Sequence, residues 1–445
     1  MSKKCYDIII IGSGIAGLYS AYNIRQLAPN TSLLVLEKYK KQWIGGRLNN
    51  EEFYGTTVVT GAGIGRKDKD HLLQELLNDL HIKYTDFKLD VNYANNEPVN
   101  VNAIFSLLKR EYNKVAKELK ENGNGNGNGS GQTNKTFKQF AKPLLGAKLY
   151  DNFVETTGYS DYEDEDVAQT LYKYGMDDNS VGLTGLYIPW HQLIQTLVHK
   201  VGTQFVKSSS NVTNIKSLTS ESGPESGPEL GPNLAHCNYE LETEQGLKYY
   251  CNKIILATTI TGIHKLLIQI LNKSQFSIYN YIKGQPFLRL YAKFPKASAE
   301  IMRKYVPTYT VVSGPLQKII PMSAEKGVYM IAYSDNANAE ILKDHLKNTV
   351  KNRVFFAKML EEALNIEPNS LQITALLDFY WPIGTHYYSP LPKNMTMSRS
   401  EFIDKAQHPL PNVLVVGEVV AENQGWTEGA LDSVAKTVTK KWIQK

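Results

Sequence analysis

Residues 12–17 read Gly12-Ser13-Gly14-Ile15-Ala16-Gly17, three glycines in a G-x-G-x-x-G pattern. Such a turn cradles phosphate. The first glycine makes a tight turn, the second lets the backbone approach a pyrophosphate, and the third lets a helix pack closely on a strand. Ser13, Ile15 and Ala16 complete a loop whose N–H groups and helix dipole favour an anion. The pattern alone is weak. Its setting here gives it force. The apolar run Tyr6–Ile11 precedes it, and Leu18, Ala21, Tyr22 and Ile24 follow at helical spacing. Glu37 stands twenty residues after Gly17, closing the second apolar run Leu33–Leu36. An acid there accepts hydrogen bonds from ribose hydroxyls and disfavours a 2′-phosphate, so a dinucleotide lacking that phosphate is expected. Lys38, next in sequence, joins the expected binding set.

A second set of glycines follows. Gly45-Gly46-Arg47 combines close backbone approach with a guanidinium fork suited to phosphate. Near the other end, Val416-Gly417-Glu418 leads to Gly425-Trp426-Thr427-Glu428-Gly429-Ala430. The small residues leave room for a flat ring. A helix starting near Thr427 would aim backbone N–H groups at a carbonyl that gains charge on reduction.

These segments need a sheet to bring them together. Runs at 6–11, 33–36, 253–258 and 413–417 read as buried parallel strands, and 427–443 reads as a closing helix. The expected fold is α/β. A discontinuous Rossmann-like domain takes residues 1–78, 187–280 and 395–445, and a second α+β domain takes 79–186 and 281–394. The Gly/Asn-rich stretch 122–134 and the Gly-Pro stretch 220–233 read as flexible insertions, the latter between strands at 212–218 and 238–243.

Composition excludes several functions. A net charge of +5 without a block of basic residues gives no footprint for nucleic acid. No apolar run is long enough to span a membrane, and the start of the chain does not read as a signal peptide. Cys5, Cys237 and Cys251 fit neither a disulfide framework nor a zinc motif, so no metal and a reducing, cytoplasmic setting are expected. No serine-protease-like elbow or His-Glu-x-x-His helix appears. Asp161–Asp166, an acidic cluster, reads as a solvated loop. His386, Tyr387 and Tyr388 read as core or strand residues.

Taken together, the motifs at both ends resemble the flavin-containing amine oxidase family, with Gly61-Ala62-Gly63 similar to its next glycine-containing flavin contact. The resemblance implies a noncovalent FAD held by the residues above, with Val212 and Ala257 on its adenine side and Trp426, Thr427 and Ala430 at its ring. No cysteine lies near Gly384–Tyr388 to form a thioether. It also implies that Trp426 and Trp381 are walls of an amine pocket, and that Arg289 stands where the family often has a lysine near flavin N5. Arginine cannot change protonation, which bears on the oxygen half reaction. The reaction implied is oxidation of a small amine by hydride transfer to flavin N5, then imine hydrolysis, with oxygen as acceptor. Two alternatives stay open: a flavin-dependent desaturase or carbon–carbon oxidase, and a flavin-binding protein with little turnover. Substrate identity and oligomeric state are not read.

Overall fold

The structure is a computed structural model that describes residues 4–94, 97–121, 133–175, 183–218, 234 and 236–444. The expected insertion 220–233 and most of 122–134 lie outside the described residues.

A seven-stranded sheet organises the first part of the site. Its order is Val212–Ser217, Tyr239–Thr243, Lys248–Leu256, Cys5–Ile11, Leu33–Leu36, Val206–Lys207, with Val413–Val415 also on Lys248–Leu256. Cys5–Ile11 runs parallel to both its neighbours. Residues 248–251 of the long strand pair antiparallel with Tyr239–Thr243, and 254–256 pair parallel with Val413–Val415. The β-branched runs are buried on both faces, which accounts for their continuous apolar character. Ile8, Ile10, Leu33 and Val35 pack under the helices Ile15–Leu27, Trp190–Val201 and Thr427–Thr437. Ile9, Ile11, Leu34 and Leu36 pack under Ile260–Leu267 and Arg399–Gln407.

The first and last thirds of the chain thus share one core. Ile15, Ala16 and Leu18 meet Ala430, Leu431 and Val434 in it. The closing helix differs from the expected 427–443. It stops at Thr437 and resumes as Lys440–Gln444. Thr437 turns its hydroxyl back to Ser433 O at 2.7 Å, and the β-branched run 437–439 is poor helix material.

A second sheet of six strands stands over the carboxyl ends of the first. Its order is Ala375–Tyr388, Ile282–Lys293, Val328–Asp335, Lys318–Ser323, Tyr309–Val311, Val91–Tyr93. Strands Ile282–Lys293 and Ala375–Tyr388 pair antiparallel along most of their length, placing Arg289 opposite Phe379 and Phe287 opposite Trp381. Helices Val101–Glu121, Phe137–Leu145, Ala147–Thr157 and Val167–Tyr172 enclose a separate aromatic core around Phe137, Phe153 and Tyr162.

Candidate active site

The parallel strands end at Ile11, Leu36, Leu256 and Val415, so the loops that follow them converge on one edge. Ligands in such sheets bind outside the carboxyl ends of the strands. Gly12 bends there with φ +106°, and an added Cβ would lie 2.3 Å from Ala257 O. Gly17 is equally tight, because a Cβ would meet Gly12 O at 2.0 Å. These two glycines serve the fold. Gly14 is different. No atom lies within 4 Å of its Cβ position, so the turn opens onto free space there. Gly45 N–H donates to Ser13 O at 3.0 Å, and Gly46 adopts φ +59° beside Gly14.

Glu37 is buried at the edge of this opening. Its Oε2 accepts from both Ser13 N and Ser13 Oγ at 2.8 Å, and its Oε1 accepts from Tyr39 N at 2.9 Å. Oε1 keeps one lone pair for a further donor. Lys38 is exposed, with Nζ over the Tyr39 ring. Ser210 N–H donates to Glu37 O at 2.7 Å, which sets the strand starting at Val212 alongside.

The segment 59–63 is gripped from the second sheet. Tyr291 Oη donates to Val59 O at 2.6 Å, Trp381 Nε1 to Thr60 O at 2.7 Å and Arg289 Nε to Gly61 O at 3.0 Å. From the first domain, Trp190 Nε1 donates to Gly63 O at 3.2 Å, and Ala62 N–H donates to Arg47 O at 2.9 Å. Gly61 allows the close crossing, since a Cβ would sit 2.4 Å from Arg47 O. Trp381 and Arg289, expected as a pocket wall and a flavin neighbour, hold this loop. The Trp381 ring meets Trp43 edge-on at 6.2 Å.

Glu418 forms a buried junction between the two sheets. Its Oε1 accepts from Arg47 Nη1 at 2.8 Å and faces His386 Nδ1 at 2.5 Å, while Oε2 accepts from Gly425 N at 3.2 Å. Ile260 N–H donates to His386 Nε2 at 3.1 Å, so that nitrogen is the acceptor and Nδ1 carries the proton. Burial alone would raise the Glu418 carboxyl, but His386 and Arg47 beside it hold it well below the usual carboxylate range. Arg47 Nη1 also donates to Gly384 O at 2.6 Å. The edge of Arg47 expected to meet phosphate is thus partly used by protein, because a buried carboxylate needs a counter-ion.

The last helix begins at Thr427, as its sequence suggests, with no side chain capping its first N–H groups. Gly429 fits beneath Asn423, where a Cβ would come within 1.9 Å of Asn423 O. Glu428 turns away and caps the helix His71–Asp79, accepting from Leu72 N at 2.8 Å and Leu73 N at 3.0 Å. Trp426 lies under the Arg66 guanidinium at 3.7 Å. Gly417 N–H donates to Ser433 Oγ at 2.8 Å, bringing the 416–418 loop against Ala16. Ala430 is buried in the helix beneath this loop.

A model of the NAD(P)-binding Rossmann-like domain matches residues 10–80. An uncharacterized protein of Acanthamoeba polyphaga mimivirus is 20% identical over 498 residues, covering 98% of this chain and 93% of that one. Among solved structures, wild-type putrescine oxidase bound to putrescine aligns over 100% of both chains, with TM-score 0.72 and 13% identity. Cyclohexylamine oxidase from Brevibacterium oxydans aligns over 99% of both chains, with TM-score 0.70 and 15% identity. The chain has the fold of these amine oxidases.

Within this fold, two expectations need correction. The cluster Asp161–Asp166 is not a solvated loop. Asp161, Glu165 and Asp166 are all buried. Tyr174 Oη donates to Asp161, Thr170 Oγ1 donates to Glu165 at 2.8 Å, and Asp166 accepts from Ala168 N as a helix cap while pairing with Arg399 at 3.3 Å. Burial first, then the neighbouring Asp335, pushes the Asp161 carboxyl up to about 8. Burial likewise pushes Glu165 up to about 8. Charge density along a sequence does not reveal such partners: Thr170 and Tyr174 are turned inward by the fold, and Arg399 and Asp335 come from distant segments.

The second correction concerns the cysteines. Cys5 and Cys237 are joined in a disulfide, although the three cysteines read as fitting no disulfide framework, while Cys251 is a free buried thiol. The strand starting at Cys5 and the hairpin entered at Cys237 are neighbours only in the folded sheet. Sequence reading also passed over Trp190, Tyr291 and Ser433, whose hydrogen bonds set the loops of the site. Nothing in their spacing marks them. No helix among the described residues is long and apolar enough to cross a membrane.

Proposed function

We propose that this chain is an FAD-dependent oxidoreductase that oxidises a small amine, with oxygen as the acceptor. One observation carries the reading. Gly14 leaves an open cradle, Arg289 Nη1 is buried without an acceptor among the described residues, and the helix at Thr427 starts without a side-chain cap. An extended dinucleotide with a ring at one end matches that donor set. The amine-oxidase fold and the putrescine seen in one solved relative support the substrate class.

In this reading Gly12–Gly17 holds the pyrophosphate, and Glu37 takes a ribose hydroxyl on its remaining lone pair. The 61–63 loop, the 417–418 loop and the helix from Thr427 hold the ring. Bound FAD would supply the two-electron acceptor for removal of a hydride from the carbon beside the amine. The protein's own work is placement. Trp381, Tyr291 and Arg289 fix the loop that would hold the ring, and Glu418 locks Arg47 and His386 so that the two sheets hold one geometry. Trp381 and Trp426 supply apolar walls that exclude water from the reacting carbon. No acid–base pair is needed beyond an unprotonated amine. Both ring nitrogens of His386 are occupied, and no cysteine lies near Gly384–Tyr388, so FAD is expected to be noncovalent.

Purified protein should be yellow and release intact FAD on denaturation. Peroxide should form with at least one member of a panel of monoamines, diamines and amino acids. A colourless protein that does not take up FAD overturns the proposal. A yellow protein inert toward every amine, but active on a carbon–carbon substrate, overturns the amine part alone.

A further inference from the structure

Arg289 is a buried cation with no carboxylate against it among the described residues. It is 5% exposed, and its Nη1 reaches no acceptor. Its guanidinium carbon rests 3.2 Å from the centroid of Tyr333 and 5.5 Å from that of Phe287. The other arginines near the site are matched: Arg66 by Asp70 at 2.7 Å, Arg47 by Glu418 at 2.8 Å and Arg399 by Asp166 at 3.3 Å. An unmatched cation in a dry interior is destabilising, and aromatic faces offset only part of that. A guanidinium keeps its delocalised charge, so neutralisation offers no relief. The remaining remedy is an anion brought by a ligand. Position narrows the choice. Arg289 Nε grips Gly61 O, and Nη2 stands 3.8 Å from where a Gly63 Cβ would be. The charge therefore lies against the loop assigned to the flavin ring.

We infer that Arg289 is the standing counter-charge for the reduced flavin ring, and that it sets the ring's reduction potential. The inference rests on the proposed FAD site. The balance is simple. A hydride brings two electrons and one proton from the amine carbon, and the substrate leaves as an iminium cation. The neutral oxidised ring gains one negative charge, and Arg289 meets that charge without moving a proton. A lysine at this position could deliver a proton, whereas arginine supplies only charge.

The test is the two-electron potential of the bound flavin, measured by anaerobic equilibration with reference dyes. Arg289→Gln should retain oxidised FAD but bind the reduced form about tenfold more weakly, a fall of about 30 mV. Arg289→Lys should keep the wild-type potential. Arg289→Gln with full FAD and an unchanged potential overturns the inference. Should Arg289→Gln fail to fold, the wild type decides by its pH dependence. Uptake of one proton per two electrons gives a slope of about 30 mV per pH unit, continuing below about pH 6. A slope of about 60 mV there means the ring takes a second proton and needs no counter-charge, which overturns the inference. A colourless wild type overturns the FAD reading and this inference together. A yellow protein with the wrong potentials overturns this inference alone.

Discussion

Gly14→Val should separate ligand binding from folding. Gly14 has φ −66° and ψ 178°, an extended conformation that valine adopts without strain. No atom lies within 4 Å of the added Cβ. The FAD-free variant should therefore keep its stability to within about 0.5 kcal/mol. The ligand would lose far more. The new methyl groups fill the space in which phosphate approaches the helix N-terminus, so the charge–dipole attraction and the N–H hydrogen bonds weaken together. A hundredfold loss of affinity, about 2.7 kcal/mol, is the expected order. Gly17→Ala is the control, because it should fail in the opposite way. Its Cβ would lie 2.0 Å from Gly12 O and 3.3 Å from Ala257 Cβ, an overlap with backbone that should cost about 3 kcal/mol or more in folding.

The assay uses both variants purified in excess FAD. Flavin retained per chain is measured after desalting, and urea unfolding is followed on the stripped proteins. Gly14→Val should be colourless and fold normally, whereas Gly17→Ala should unfold at lower urea than wild type. A Gly14→Val protein that keeps one FAD per chain refutes the placement of the phosphates. A Gly14→Val protein as unstable as Gly17→Ala refutes the claim that the turn opens onto free space.

Three further outcomes are expected. Glu418 has its native carboxyl held low, so its contribution is present above about pH 4.5 and is lost as pH falls through the native value. Glu418→Gln leaves Arg47 unmatched and should destabilise by about 3–5 kcal/mol near neutrality, with a shallower acid-side decline in urea midpoints. Asp161 and Glu165 carry the opposite sign. Their native values near 8 mean that stability is full below the ordinary carboxyl range and declines as pH rises toward about 8. Asp161→Asn should flatten that decline, and an unchanged pH profile would show that the acid is not held neutral. The Cys5–Cys237 link joins residues 232 apart, so reduction or Cys5→Ser should lower stability by about 2–5 kcal/mol. Thiol titration of denatured, unreduced protein should find Cys251 alone, and three reactive thiols would refute the link.

How much of this was legible in the sequence follows from the range of the forces involved. The strand–turn–helix around Gly12–Gly17 is local, and its strands Cys5–Ile11 and Leu33–Leu36 lie within a residue of the runs that announced them. The helix start at Thr427 was legible for the same reason. The acidic run at 161–166 was misread because its partners, Tyr174, Thr170 and Arg399, are set by packing rather than by spacing. Glu428 looked like part of a ring-binding hexapeptide, yet its oxygens cap a helix more than 350 residues earlier in the chain, at Leu72 and Leu73.

The positions read as chemistry turn out to share a structural task. Tyr291 and Arg289 lie on one strand and Trp381 on its antiparallel neighbour, and their donors meet the consecutive carbonyls of Val59, Thr60 and Gly61. Each bond is modest, about 1 kcal/mol, but leaving any of those donors unmet in a dry interface costs more than the bond gains. The register between the two strands therefore fixes how the second sheet sits on the glycine loop. A one-residue slip between the two strands would turn Trp381 to the face opposite Tyr291 and Arg289 and release Thr60 O. Arg289 then has two edges with separate purposes. Nε holds the loop in place, and Nη1 is left without an acceptor among the described residues. Sequence resemblance found the residue, but only the pairing of the strands explains why one half of it is already in use and the other half is not.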